Sequence, residues 1–219
     1  DRDLYRPLLE AIVERVARCI GEGGFTAAHV VDAGCGEGAY LAALAAALRL
    51  RFEGVFTFTG IDVAREAARL AAQRHDGIRF FVADINRSLL LPGQSVDVLL
   101  NVFAPRNPAE FRRVLKPGGL LLVVIPTPGH LRSLRERFGL LGVEPDKRQH
   151  VREQFEDGFA LADVRRVEFP LALAGEALVD LVDLTPNYWH LTAEPHQAIP
   201  QSPARATGAG LGLLAFSRR

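Results

Sequence analysis

Apolar residues open the chain at helical spacing. Leu8, Ile12, Val16 and Cys19 recur every three or four positions with Arg and Glu between them, until Gly21-Glu22-Gly23-Gly24 breaks the pattern. An amphipathic lead-in helix is predicted over Leu4 to Ile20. The period then changes. His29-Val-Val-Asp32 predicts a short buried strand, and the Ala- and Leu-rich stretch from Tyr40 to Leu50 predicts the helix that follows a glycine turn. The alternation continues with strands over Phe56 to Val63, Ile78 to Ala83 and Val96 to Phe103, and helices over Ala64 to Arg74 and Asn107 to Leu115. A Lys116-Pro-Gly-Gly turn leads to a wholly apolar strand, Leu120 to Ile125. Strands this apolar belong in a parallel sheet covered on both faces.

Beyond Pro126 the pattern loosens. It predicts a basic helix over His130 to Leu141, a polar loop from Val143 to Glu153, a strand over Val164 to Leu173 and a helix over Glu176 to Leu184. A Pro-, Gly- and Ala-rich stretch precedes a last strand, Gly212 to Ser217, expected to run antiparallel. The class is α/β and Rossmann-like, a mostly parallel sheet with helices on both faces. The organisation expected is a lead-in helix over residues 1–24 and one domain over 25–219, with acceptor-side elements in 126–210.

Composition narrows the chemistry. The 219 residues are 48% hydrophobic, enough for one substantial core, and 26 basic residues balance 26 acidic ones, so total charge draws the chain to no polyanion or membrane. Only Cys19 and Cys35 are present, without His or Cys neighbours at zinc spacing, so neither a disulfide framework nor a metal site is expected. No apolar run approaches the ~20 residues that span a bilayer. A cytoplasmic setting is expected. The chain starts at Asp1 and contains no Met, which raises the expectation of a segment upstream.

Candidate chemistry gathers at the first strand-to-helix turn, Asp32 to Gly38. In an open α/β sheet ligands bind beyond the carboxyl ends of the strands, where strand order reverses. Gly34, Gly36 and Gly38 permit positive φ and remove Cβ atoms, so a ligand can lie against the main chain, and the helix behind them offers free N–H groups. The same spacing opens nicotinamide- and flavin-binding domains. Asp32 shifts the balance: a carboxylate there can pair with the ammonium of an amino-acid ligand, directly or through water, which favours S-adenosylmethionine (SAM) over NAD. The plainer alternative is a tight turn with an incidental Asp. Asp62, after Gly60-Ile61, is placed to accept from both ribose hydroxyls, or else to cap the next helix. Asp84 can accept from the adenine amino group or cap a turn, and Asn101 can line the methyl-transfer channel or satisfy a backbone group.

Val31-Asp-Ala-Gly-Cys-Gly-Glu-Gly, Gly60-Ile-Asp-Val, Val82-Ala-Asp and Arg113-Val-Leu-Lys-Pro-Gly-Gly together resemble the class I SAM-dependent methyltransferases over residues 29–125. Leu4-Tyr-Arg-Pro-Leu, Asn101-Val-Phe-Ala-Pro-Arg-Asn-Pro-Ala-Glu-Phe, Pro126-Thr-Pro-Gly-His-Leu and Leu184-Thr-Pro-Asn-Tyr-Trp are similar to the bacterial 23S ribosomal RNA guanine-N1 methyltransferases. That resemblance implies ribosomal RNA as partner and a Cys-rich zinc module ahead of the Leu4-Tyr-Arg-Pro-Leu segment, where this chain has not yet begun.

For the acceptor, the residues themselves offer Tyr188 and Trp189 as a platform on which a flipped base stacks, or Trp189 as a packing residue of a late cluster. Asn101, His130, Asp183 and His190 are further candidates. Arg132, Arg135 and Arg137, and then Lys147, Arg148, His150 and Arg152, can touch phosphate or simply form solvated faces. A homodimer would widen the grip on a folded RNA. The alternatives are a methyltransferase for small molecules and a SAM-binding regulatory protein that transfers nothing.

Overall fold

A computed structural model of the chain describes residues 4–173, Leu178 and 205–219. Helix α1 (Arg6–Glu22) carries Pro7 in its first turn, where no backbone N–H is needed, and buries Leu8, Ile12, Val16 and Ile20. Then β1 (Ala27–Ala33), α2 (Ala39–Arg51), β2 (Val55–Asp62), α3 (Arg65–Arg74) and β3 (Arg79–Val82) alternate, followed by β4 (Val96–Val102), α4 (Pro108–Val114) and β5 (Leu115–Pro126). Two short helices, α5 (Arg132–Phe138) and α6 (Lys147–Phe155), precede the long strands β6 (Phe159–Leu173) and β7 (Arg205–Arg218).

The seven strands form one sheet in the order β3-β2-β1-β4-β5-β7-β6. Neighbours from β3 to β5 pair in parallel, and β7 is antiparallel to both β5 and β6. The order reverses between β1 and β4, and ligands of such sheets bind at that crevice. One face packs α1 and α2, with Ile12, Leu41 and Leu44 against Val30, Val98 and Leu100. The other packs α4 and α6: Phe111 and Phe155 stack at 6.2 Å between centroids over Val31, Leu99 and Leu121. Since α1 and β1 share a core, the lead-in helix is built into the sheet's first layer.

Most predicted elements recur with ends shifted by a few residues, and four departures have physical causes. The predicted polar loop holds α6, because Val151 and Phe155, one helical turn apart, alone supply its buried face. The predicted basic helix is shorter, since Leu131 (φ 52°) and Gly139 (φ 64°) are left-handed at its two ends. Lys116 to Gly119 is no free turn but an excursion within β5, where Val96 to Val98 stands against Leu115 to Leu120. Finally, β6 and β7 start well before their predicted limits. Charged Asp163, Arg165 and Arg166 on the edge strand β6 and three alternate glycines in β7 hide the strand period. The predicted helix over Glu176 to Leu184 lies outside the described residues apart from Leu178.

Candidate cofactor site

The loop after β1 bends over the end of β2. Gly34 and Cys35 both donate their N–H to the Ile61 carbonyl, at 2.8 and 3.1 Å, and Gly38 donates to the Cys35 carbonyl at 2.9 Å before α2 starts. Gly34 sits at φ 89°, and a Cβ there would lie 2.2 Å from the Ala104 Cβ, so the glycine lets the loop after β4 close onto the loop after β1. Gly36 is the opposite case. It has φ 53° with open space where a Cβ would stand, leaving main chain exposed to a ligand. No side chain caps α2 and no acid lies in its first turn, so the partial positive charge of its N-terminus is unopposed.

Beneath this loop lies Asp32, enclosed at the carboxyl end of β1. Its Oδ1 has no hydrogen-bond partner. Burial, and secondarily the charge of Asp62, pushes its carboxyl up from 3.8 to about 7. Burial also raises the neighbouring Tyr40 hydroxyl and Cys35 thiol, each helped by the Asp32 charge. A buried carboxylate with a free oxygen is costly unless a cation or donor meets it. An ammonium is the chemistry that fits.

Asp62 ends β2 and is tied to the glycine loop. Its Oδ2 accepts from Gly36 N–H at 2.7 Å and its Oδ1 from Ala64 N–H at 2.8 Å. It does not cap α3, whose N-cap is Ala64. Each oxygen keeps a lone pair for a further donor. Asp84 follows β3 and organises a turn: its Oδ1 accepts from Asn86 N–H at 2.9 Å and its carbonyl from Arg87 and Ser88. Asn101, fully buried in β4, satisfies backbone groups. Its Nδ2 donates to the Ala33 carbonyl at 3.1 Å and the Pro105 carbonyl at 2.8 Å, joining the two loops, while its Oδ1 has no partner.

Next to these groups the pattern of the chain left two rings unassigned. Tyr5, in the turn before α1, lies edge-on to Phe103 at 6.3 Å and to Phe169 at 5.8 Å, and 6.5 Å from the His130 ring. Phe103, just after β4, is 45% exposed and takes φ 55°, a conformation that an aromatic residue rarely adopts. The available signals were Tyr5 within Leu4-Tyr-Arg-Pro-Leu and an apolar residue at the end of a strand before Ala-Pro. Burial, then the Arg135 charge, lowers His130 to about 4, and its Nδ1 accepts from Gly210 N–H at 3.4 Å. This imidazole is neutral at physiological pH. Tyr188 and Trp189, with Asp183 and His190, lie outside the described residues.

The basic segments divide. In α5, Arg132 pairs with Glu136, Arg135 donates to the Pro128 carbonyl and Arg137 lies over Phe138, so its charges are engaged within the segment. In α6, His150 pairs with Glu144. Among the described residues no group of three His, Cys, Asp or Glu is placed to hold a metal, and no helix is long and apolar enough to cross a membrane.

Comparisons with known proteins fit this geometry. A family model described as "Methyltransferase domain" matches residues 30–119, which run from β1 through the Lys116-Pro-Gly-Gly excursion. A Streptomyces fradiae protein named 23S rRNA (guanine(748)-N(1))-methyltransferase is 37% identical over 190 residues, 87% of this chain and 65% of that protein. A Micromonospora griseorubida protein, provisionally named a 23S rRNA (guanine-N(1)-)-methyltransferase, is 39% identical over 198 residues, 85% of this chain and 65% of its own length. The chain thus spans about two thirds of these relatives, slightly less in each case. Among solved structures, the YcgJ protein of Bacillus subtilis superposes with a TM-score of 0.63 at 15% identity, over 96% of this chain and 97% of the other, which shows a shared fold.

Proposed function

We propose, from the premise that residues 30–119 belong to the methyltransferase domain family and that the chain is a relative of 23S rRNA guanine-N1 methyltransferases, that it methylates N1 of a guanine in 23S ribosomal RNA with SAM as donor. The observation that carries the donor half is the enclosed Asp32 with its unpartnered oxygen beneath an open Gly36. The RNA half is supported by the relatives.

Bound SAM supplies an electrophilic methyl group on a sulfonium. The residues of the chain then have to bind, orient and exclude water. In this reading Asp32 accepts from the methionine ammonium, directly or through water, and the partnership draws its carboxyl back to the ionised form. Gly34, Gly36 and Gly38 line the donor with main chain. Asp62 keeps the glycine loop in place through Gly36 N–H and offers its remaining lone pairs to the ribose hydroxyls. Asp84 stands at the end of β3 for the adenine amino group, its turn contacts holding it there. Asn101 clamps the loops on either side of the reaction axis and turns its free Oδ1 toward the channel.

On the acceptor side the base lies against the exposed ring of Phe103, with Tyr5 behind it; Tyr188 and Trp189, the stacking pair expected from the sequence, lie outside the described residues. Methylation joins a carbon to N1 as the sulfur–methyl bond breaks, and the N1 proton must leave. His130 is a poor recipient: a conjugate acid with a pKa of about 4 does not hold a proton at neutral pH. The reading carries with it a cytoplasmic location, where ribosomal RNA resides, and a homodimer that widens the contact with a folded RNA.

The test is transfer of tritiated methyl from SAM to 23S rRNA fragments, set beside extracts of small metabolites. Label at guanine N1 is expected. Label confined to metabolites rejects the RNA acceptor, and SAM binding without any transfer rejects the enzyme.

A further inference from the structure

The carboxyl edge of the sheet carries a second recess, about 320 Å³, between the loop after β5 and the start of α6. Pro126 and Pro145 form part of its wall together with Lys147, Arg148, Arg165 and Arg166, and no carboxylate lines it. The two β6 arginines already have partners, Arg165 in Glu14 and Arg166 in Glu168. Lys147 and Arg148 form no ion pair among the described residues.

A third cation approaches from the loop after β4. Arg106, half-buried and hydrogen-bonded to Gln154 at 3.1 Å, lies close enough that its charge, after burial, lowers the Lys147 ammonium. The nearby Glu144, whose charge acts the other way on both, is itself engaged by His150. Asp146 is the N-cap residue of α6, and its side chain makes no cap hydrogen bond. Cations gathered and partly dehydrated in this way are unfavourable until an anion joins them.

We infer that this recess takes a backbone phosphate of the RNA beside the methylated guanosine, an inference that rests on the RNA reading above. Lys147 and Arg148 make the contacts and Arg106 backs them. The position suits the ligand: the recess is walled by β5, β7 and β6, the first, second and third strands beyond β4, roughly 5 to 15 Å along the sheet edge from that strand. That is the reach of the target nucleotide or its neighbour.

The double variant Lys147→Gln/Arg148→Gln tests this, with Arg152→Gln, a cation of α6 that lines a different recess, as a loss of charge elsewhere on the helix. Affinity for a fluorescent 23S rRNA hairpin is measured over a range of salt, SAM affinity by calorimetry, and folding by thermal unfolding. The double variant is expected to bind RNA at least ten-fold more weakly at moderate salt. Its plot of log affinity against log salt should be shallower by ~0.7 to 0.9, the value for one phosphate no longer neutralised. SAM affinity should stay within about two-fold, and Arg152→Gln should keep the wild-type slope to within half that change. A double variant with the wild-type slope, or an Arg152→Gln slope that falls as far, overturns the phosphate recess while leaving the guanine reading intact. Wild-type protein that binds the hairpin through this recess but methylates no RNA overturns the guanine reading instead. Wild-type protein that does not bind RNA at all overturns both.

Discussion

Replacing Asp32 by Asn is expected to stabilise the ligand-free protein at pH 8 while weakening its hold on SAM. The carboxyl is fully enclosed and titrates at about 7 in the fold against an ordinary value of 3.8. Between those values the folded chain binds the proton that the unfolded chain releases. Stability contributed by this group is therefore intact below about pH 4, falls as pH rises, and is fully lost above about 7. Roughly three pKa units correspond to about 4 kcal/mol as an upper bound. Asn removes the charge but brings an amide that needs buried acceptors, at about 1 to 3 kcal/mol. A net gain of about 1 to 3 kcal/mol at pH 8 remains, or some 3 to 10 °C in Tm. Near pH 4 the sign reverses, because wild-type Asp32 is then protonated in the fold and only the cost of the amide, about 1 to 3 kcal/mol, remains. Loss of the charged partner for the ammonium should weaken SAM roughly ten- to hundred-fold. Thermal unfolding at pH 4.5, 6 and 8 and calorimetric SAM titration measure both effects. An Asn variant less stable than wild type at pH 8, or one that binds SAM within two-fold of wild type, refutes the reasoning.

Three further outcomes follow from the same geometry. Asn101→Ala strips donors from the buried Ala33 carbonyl and the more exposed Pro105 carbonyl and should cost about 1 to 3 kcal/mol in urea unfolding, with SAM affinity falling as the two loops separate. Phe103→Gly relieves a positive φ and removes a half-exposed ring, so stability should stay within about 1 kcal/mol of wild type while kcat/KM for RNA drops at least ten-fold. An unchanged kcat/KM would free Phe103 of any acceptor role. Glu110 is held at about 2, chiefly by its hydrogen bond from Arg113, with Leu89 N–H and Ser88 adding to it. Its folded value lies below the ordinary 4.5, so its stabilisation is full above about pH 4.5 and disappears as pH falls toward 2. Glu110→Gln should flatten that part of the pH–stability curve, and parallel curves for the two proteins would contradict the ion pair.

The candidate donor site could be drawn from the sequence because its chemistry is local. Asp32 and the glycines that follow are consecutive, and Asp62 and Asp84 each end a run of apolar residues whose period announces a strand. What the local pattern left open was which alternative each carboxylate serves. Asp62 could have capped α3, but its Oδ1 accepts from Ala64, two residues on, and its Oδ2 reaches Gly36 in the loop after β1, a contact that exists only once β1 and β2 pair in register. The proposed acceptor side was harder to see. Tyr5, Phe103 and His130 lie far apart in the chain and meet only where α1, β4 and β5 converge. Helix α6 escaped for a related reason: two buried side chains suffice when a neighbouring Phe111 completes the contact, and two positions make a faint period.

Period and composition by themselves determined the class of fold, the order of most of its elements and the turn where a nucleoside-linked amino acid can bind, because strands buried on both faces and glycines at a turn follow from local sterics and apolar burial. Tertiary structure decided the rest. The reversal of strand order between β1 and β4 opens the crevice, and enclosure gives Asp32 its unmet charge. The approach of Arg106 from the loop after β4 to Lys147 and Arg148 beside one recess makes these cations a candidate for a single anion. Charge and desolvation act through space, and only the folded chain sets those distances.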